Sequence, residues 1–213
     1  MTSKNLIRMI ASPSKVASAL NWRKTATVLS VDIHRDIIGL AISAHPSIQE
    51  RATTLGPISL CKKGKVAKQD KEYLADIIRA NNVCGIVVSW PLQEDSGRMG
   101  AACGRVSHTL EDLIDDDDAS FERKPLCFWD SKHAIPSAQD QFGRSEAYCR
   151  TTNKRIHRAS EEQYNQDQNI VASQVWKDFM LTHWPEISKD SSGGNTRTAD
   201  AEDNWEDGTE EMV

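Results

Sequence analysis

The sequence lacks any run of apolar residues long enough to cross a bilayer, so it gives no sign of a membrane-spanning helix. Its five cysteines contain no Cys-x-x-Cys pair, which argues against a zinc knuckle or a disulfide framework and favours a reducing compartment. Aromatic residues make up only 6% and hydrophobic residues 38% of the 213 positions. This content predicts one folded domain with polar tails rather than a chain that is ordered throughout.

The net charge of −5 is unevenly distributed along the chain. Residues 185–213 contain nine acidic and two basic residues, a net charge of −7, which leaves residues 1–184 at about +2. With its Ser-Gly-Gly-Asn stretch, this acidic tail is predicted to be disordered. The acidity of the whole chain therefore does not exclude a nucleic-acid partner for its body.

Residues 1–25 carry five basic residues, several serines and no acidic residue. This composition is typical of an organellar transit peptide, but a disordered basic arm has the same composition, and both interpretations stay open. A transit peptide would direct the protein to a mitochondrion or a plastid, and otherwise we expect it in the cytoplasm. The predicted divisions are thus 1–25 for this segment, 26–184 for a folded domain and 185–213 for the acidic tail.

The folded domain is predicted to be α/β, with the element order β-β-β-α-β-α-β-α. Apolar runs at 26–33 and 37–43 are separated by a short polar turn and predict a hairpin. A third strand over 51–60 is interrupted by a Gly-Pro pair, and apolar spacing predicts a helix over 69–80. The remaining predicted elements are a strand over 83–88, a helix over 101–114, a strand over 126–129 and a last helix that includes 170–179. Because the later strands arrive through helical crossovers, we expect a mixed sheet covered by helices.

Two of the predicted strands carry an acidic residue at their ends, Asp32 and Asp130. Apolar strands seldom contain a carboxylate, because an unpaired buried charge is costly. Taken alone, each is explained most simply as a strand-end acid that caps a helix or meets water. If both lie at the same edge of one sheet, however, they could together hold a divalent metal ion.

Four short motifs follow one another along the chain. Asp32 is followed by a turn and the sequence Ile-Gly-Leu-Ala-Ile-Ser at 38–43. An apolar strand with Pro-Leu at 91–92 then leads into a Gly-containing loop and a helix. The third motif is Phe-Trp-Asp-Ser at 128–131, and the fourth is the helical segment 167–173, which begins with an acid. In this order, the motifs resemble the YqgF/RuvX family of Holliday-junction resolvase-like proteins, which belong to the RNase H-like superfamily; the resemblance covers about residues 26 to 180 of the chain.

The resemblance implies an RNase H-like mixed sheet and a Mg²⁺- or Mn²⁺-dependent nuclease that hydrolyses phosphodiester bonds of structured nucleic acid. The first substrate that it suggests is precursor ribosomal RNA, and the second is branched DNA. Asp32, Asp130 and Asp167 are the predicted catalytic residues, and Asp32 and Asp130 are the predicted metal ligands. Exposed basic residues suit phosphate contacts, and six are predicted to bind nucleic acid: Arg98, Arg105, Arg150, Lys154, Arg155 and Arg158.

The sequence departs from the family pattern at several positions. His34 stands for the usual glycine and Ile37 for the usual arginine after the first acid. If Asp130 matches the family's aspartate, Ser131 stands at its catalytic glutamate; if Asp130 instead matches the glutamate, Trp129 stands at the neighbouring aspartate. The better spacing of the last helix places Asn169 where its acid belongs. Because hydroxyl and amide oxygens bind a hard divalent ion less well than carboxylates do, the acidic site is predicted to be weakened.

Two alternatives to a nuclease stay open. The first is a catalytically silent RNase H-like module that binds RNA or a protein partner, which the weakened acidic site favours. The second is half of an actin-like or kinase-type ATPase, since those proteins also begin with an acid in a β-hairpin. The chain has no second copy of its hairpin and no Gly-rich phosphate loop that would support the ATPase interpretation.

Overall fold

The computed structural model describes residues 4–23, 25–49, 51–61, 64–93, 96–114, 124–130 and 161–187, with the side chains of 4, 5 and 161–168 left out. The predicted order of strands and helices is present, preceded by two short helices. The elements are α1 (Lys4–Met9), α2 (Pro13–Trp22), β1 (Thr27–His34), β2 (Ile37–Ala44), β3 (Thr53–Thr54), β4 (Ile58–Ser59), α3 (Lys68–Ala80), β5 (Val83–Trp90), α4 (Ala101–Ile114), β6 (Leu126–Asp130) and α5 (Glu161–His183).

The described strands form one six-stranded sheet with β1 at its centre, in the order β3-β2-β1-β5-β6, and β4 pairs with β2. β1 and β2 form an antiparallel hairpin along their whole length. β5 runs parallel to β1, and β6 runs parallel to β5. Each parallel strand follows a helix, as the crossover between parallel neighbours requires. The predicted α/β class, a mixed sheet flanked by helices, is therefore confirmed.

The third strand is split into β3 and β4, and both pieces pair with β2. The Gly56-Pro57 pair lies between them, where proline has no N–H to offer to a ladder. Within this gap the Leu55 N–H still donates to the Leu40 carbonyl at 3.0 Å. The interruption predicted from the Gly-Pro pair is thus present. On this edge, the middle of β2 has no partner strand.

The sheet separates two hydrophobic cores, which we call the α4 face and the α5 face. On the α4 face, β1 residues such as Leu29 and Val31 pack with the apolar sides of α3 and α4. On the α5 face, Val28 packs with α2 and with α5, whose Trp176 is 1% exposed. Because side chains alternate along a strand, neighbouring residues of β1 belong to different cores. None of the described helices is long and apolar enough to cross a membrane.

Residues 4–23 pack onto the sheet, although their composition predicts a basic arm or a transit peptide. Leu6 and Leu20 are 1% and 0% exposed, and the Ala11 N–H donates to the Leu126 carbonyl of β6 at 2.7 Å. α2 begins at a side-chain cap, since the hydroxyl of Ser12 accepts from the Lys15 N–H at 3.3 Å. The described part of this segment is therefore helical and not an unstructured arm, whereas a role in targeting stays a prediction.

Candidate functional site at the carboxyl edge of the central strands

Asp32 lies near the carboxyl end of β1 and is fully buried, with 0% exposure. Its side chain belongs to the α5 face, because Ser30, two residues earlier, donates from its hydroxyl to the Ala172 carbonyl of α5 at 2.7 Å. The residue opposite Asp32 on β2 is Gly39, so no β2 side chain covers the carboxylate at that position. Buried carboxylates in proteins are paired, hydrogen-bonded or coordinated to a metal, which makes Asp32 the first residue of the candidate site.

Ser89 of β5 lies beside Asp32. The parallel register pairs Val31 with Val88, so the next residue of each strand, Asp32 and Ser89, lies at the same level on the α5 face. Ser89 is 1% exposed, and its hydroxyl oxygen has no hydrogen-bond partner among the described residues. An unsatisfied buried hydroxyl costs about 1–3 kcal/mol, so its position next to a buried carboxylate marks a polar site. Ser89 is not among the residues predicted from the sequence, although a polar residue directly after the apolar run 83–88 was a signal for it.

Asp130 reaches the same edge of the sheet but lies on the other face. Trp129, the preceding residue, packs on the α5 face, where its Nε1 donates to Asp178 Oδ2 at 2.9 Å. Phe128 and Trp90 pack together with 4.2 Å between ring centroids, on the α4 face. Because Asp130 pairs with Trp90 across the strands, alternation places it on the α4 face. The structure therefore brings Asp32 and Asp130 to one edge without placing both on one face, and a metal site shared by them stays a prediction.

Asn169 of α5, which is predicted to stand in place of the family's last acid, makes a structural contact. Asn169 is 8% exposed, and its Oδ1 accepts the Leu40 N–H at 3.2 Å. This N–H belongs to the part of β2 that the split third strand leaves open, so the amide satisfies a backbone donor that would otherwise be buried without a partner. Asp167 lies two residues earlier in α5, and its side chain is among those that the structure leaves out.

The predicted basic contacts are only partly described. Arg98 is exposed, and its carbonyl accepts from the Gln93 N–H at 3.0 Å; Arg105 is exposed on the first turns of α4. The other four predicted contacts, together with Ser131, lie outside the described residues: Arg150, Lys154, Arg155 and Arg158. Within the described ranges, no three His, Cys, Asp or Glu side chains come together as a metal site.

Comparison with known proteins assigns this chain to no family. No family model and no curated protein match this chain. Among solved structures, RuvC of T. thermophilus in complex with a Holliday junction substrate is similar, with 13% identity and a TM-score of 0.40 over 74% of this chain and 95% of RuvC.

Two further solved structures show a similarity of the same low order. The yeast mitochondrial Holliday junction resolvase Ydc2 has 8% identity and a TM-score of 0.40, over 83% of this chain and 90% of Ydc2. The ethanolamine utilization protein EutJ of Carboxydothermus hydrogenoformans has 15% identity and a TM-score of 0.28, over 60% of this chain and 50% of EutJ. Sequence identities and TM-scores this low assign no activity, and membership of the YqgF/RuvX family stays a prediction.

Proposed function

We propose that this chain is a nuclease-like protein that acts on structured nucleic acid at the carboxyl edge of β1 and β5. The observation that carries this proposal is the fully buried Asp32 in the central strand, with the unsatisfied Ser89 hydroxyl beside it. A carboxylate is not retained in such a position without a cation or strong hydrogen bonds, since its burial is costly. Precursor ribosomal RNA and branched DNA are the proposed substrates, in that order.

The oxygen donors on the α5 face fit one hard divalent cation. The Asp32 carboxylate and the Ser89 hydroxyl are the kind of ligand that Mg²⁺ and Mn²⁺ take, and such ions retain water at their remaining positions. When bound, the ion would polarise a phosphoryl oxygen of the substrate. Two adjacent ions would need more carboxylates than the described side chains supply on this face. Asp130, at the same edge of the sheet, and Asp167, in α5, stay proposed catalytic residues.

A binding module without hydrolysis is the second candidate, and two contacts favour it. Trp129 fills its position on the α5 face with an indole ring, which packs against Phe179 at 5.1 Å between centroids. Asn169 holds the backbone of β2 through its amide oxygen. Both side chains serve packing at positions close to where a nuclease of this kind would carry acids. The partner in that case would be RNA or another protein.

Cleavage and binding measured in the same samples distinguish the two candidates. The purified full chain is incubated with Mg²⁺ or Mn²⁺ and a labelled four-way DNA junction or a structured precursor-like RNA. Wild type, Asp32→Asn and Ser89→Ala are compared with Asp76→Asn, a matched loss of one carboxylate on the exposed side of α3. We expect metal-dependent cleavage that disappears in Asp32→Asn, weakens in Ser89→Ala and persists in Asp76→Asn. Binding without cleavage supports the second candidate, and absence of both refutes the proposal.

A further inference from the structure

His45 is a buried histidine whose two ring nitrogens both have hydrogen-bond partners. It follows β2 directly, at the end of the β1–β2 hairpin opposite Asp32, and it is 9% exposed. Its Nε2 lies 2.8 Å from Oδ1 of Asn21 in α2. Its Nδ1 lies 2.8 Å from Oγ of Ser47 and accepts from the Ser47 N–H at 3.2 Å. The ring therefore joins the N-terminal helix to the turn that leaves the sheet.

A third residue, Trp184, establishes which form of the His45 ring fits this site. Trp184 directly follows α5, and its indole Nε1 donates to the same Asn21 Oδ1 at 2.9 Å. An indole nitrogen can only donate, so this Asn21 atom is the amide oxygen and not the nitrogen. Because that oxygen can only accept, His45 Nε2 must carry a hydrogen. Nδ1 accepts from the Ser47 N–H and so carries none, which makes the ring neutral.

Charged and titratable groups stand on each element that packs against His45. They are Arg23 at the end of α2, Glu50 and Arg51 beyond the turn, and His183 and Glu186 at the end of α5. Among them, Glu50 lies outside the described residues. The two arginines disfavour an imidazolium and the two glutamates favour it, so these charges oppose one another. The hydrogen bonds with Asn21 and Ser47 therefore decide which form of the ring the fold accepts.

We propose that His45 is a pH-sensitive switch, which holds the turn at residues 45–49 when it is neutral and releases it when it is protonated. A proton on Nδ1 would face the Ser47 N–H, so two donors would oppose each other and their hydrogen bond would be lost. The same turn links β2 to β3, because the Gln49 N–H donates to the His45 carbonyl at 3.1 Å and Gln49 Nε2 donates to Thr53 Oγ1 at 3.0 Å. Protonation therefore loosens the attachment of the edge strand β3. The inference is independent of the proposed function.

The pH dependence of unfolding tests the switch. The unfolded chain takes up a proton at His45 near the ordinary histidine pKa of about 6.5, whereas the folded chain resists it, so stability is present above this pH and is lost below it. Urea unfolding of the full chain at about pH 7 and pH 5 compares wild type with His45→Gln. We expect the unfolding equilibrium constant to rise on the order of tenfold more in wild type, and about 25-fold more at most. His108→Gln removes an exposed histidine of α4 and should behave as wild type.

Two further measurements address the ring itself. Nitrogen NMR of the wild-type imidazoles should show His45 with its hydrogen on Nε2 alone at neutral pH. Asn21→Asp supplies a matched variant, since a carboxylate oxygen still accepts from His45 and Trp184 while its charge favours the imidazolium, so acid sensitivity should decrease. A hydrogen on Nδ1 at neutral pH, or an equal pH dependence in wild type and His45→Gln, overturns the proposal. Acid sensitivity that Asn21→Asp leaves unchanged contradicts it as well.

Discussion

Gly85 offers a direct test of whether the N-terminal segment belongs to the folded domain. Gly85 lies in β5 beneath α2, and a Cβ added there would lie 2.8 Å from Val16 Cγ1. Val16 is fully buried in the core that α2, α5 and the sheet share. Carbon atoms do not approach so closely, so Gly85→Ala must displace either the Val16 side chain or the whole helix.

The expected cost follows from overpacking. An extra methyl group in a closely packed core destabilises a protein by about 1–3 kcal/mol. This cost opposes the usual effect of Gly→Ala, which favours the folded state by about 0.4–1 kcal/mol where the backbone is compatible. Gly104 provides the matched control, because it lies in α4 and a Cβ there would have no atom within 4 Å. We therefore expect Gly85→Ala to destabilise and Gly104→Ala to stabilise.

Urea unfolding of the full chain measures both effects. The midpoint should fall in Gly85→Ala and rise in Gly104→Ala, with unchanged m values. Val16→Ala in the Gly85→Ala background removes the methyl group that clashes, Val16 Cγ1, so the double variant should be more stable than the sum of the single effects predicts. If Gly85→Ala is neutral and shows no coupling with Val16→Ala, α2 does not pack on β5, and the account of residues 4–23 is wrong.

Two further predictions concern the buried polar groups and the thiols. Asn169→Leu leaves the Leu40 N–H without its acceptor and should destabilise the domain by about 1–3 kcal/mol, measured by the urea midpoint; an unchanged midpoint would contradict the proposed role of the amide. Burial raises the pKa of the Cys127 thiol from 9.0 to about 12, and burial also raises the pKa of Cys84. The unfolded chain then loses these protons first, so stability should fall as pH rises from about 9 towards 12. Wild type should lose more stability over this range than Cys127→Ala, and equal losses would contradict the burial of that thiol.

The elements that the sequence predicts correctly are those with a strong pattern of apolar residues, either continuous or at helical spacing. β2 and β5 are almost continuous apolar runs, β1 carries apolar residues on both faces, and α3 has its buried residues at helical spacing. α2 was missed because the basic and serine-rich composition of the segment outweighed a local signal. That signal was present, with Ser12 as a cap, Pro13 in the first turn and Val16 and Leu20 on one side.

The candidate site was predictable only in part. Asp32 is an acid within an apolar strand, and that contrast is visible in the sequence. The face on which Asp130 lies depends on the register of β6, and a shift of one residue would reverse it.

Binding of Mn²⁺ to the full chain tests most directly whether Asp32 and Ser89 form the centre of the site. Free Mn²⁺ can be measured by electron paramagnetic resonance in titrations of wild type, Asp32→Asn, Ser89→Ala and the surface control Asp76→Asn. We predict a site in the wild type and in Asp76→Asn that Asp32→Asn abolishes and Ser89→Ala weakens. Mn²⁺ binding of equal affinity and stoichiometry in wild type and Asp32→Asn would contradict this account.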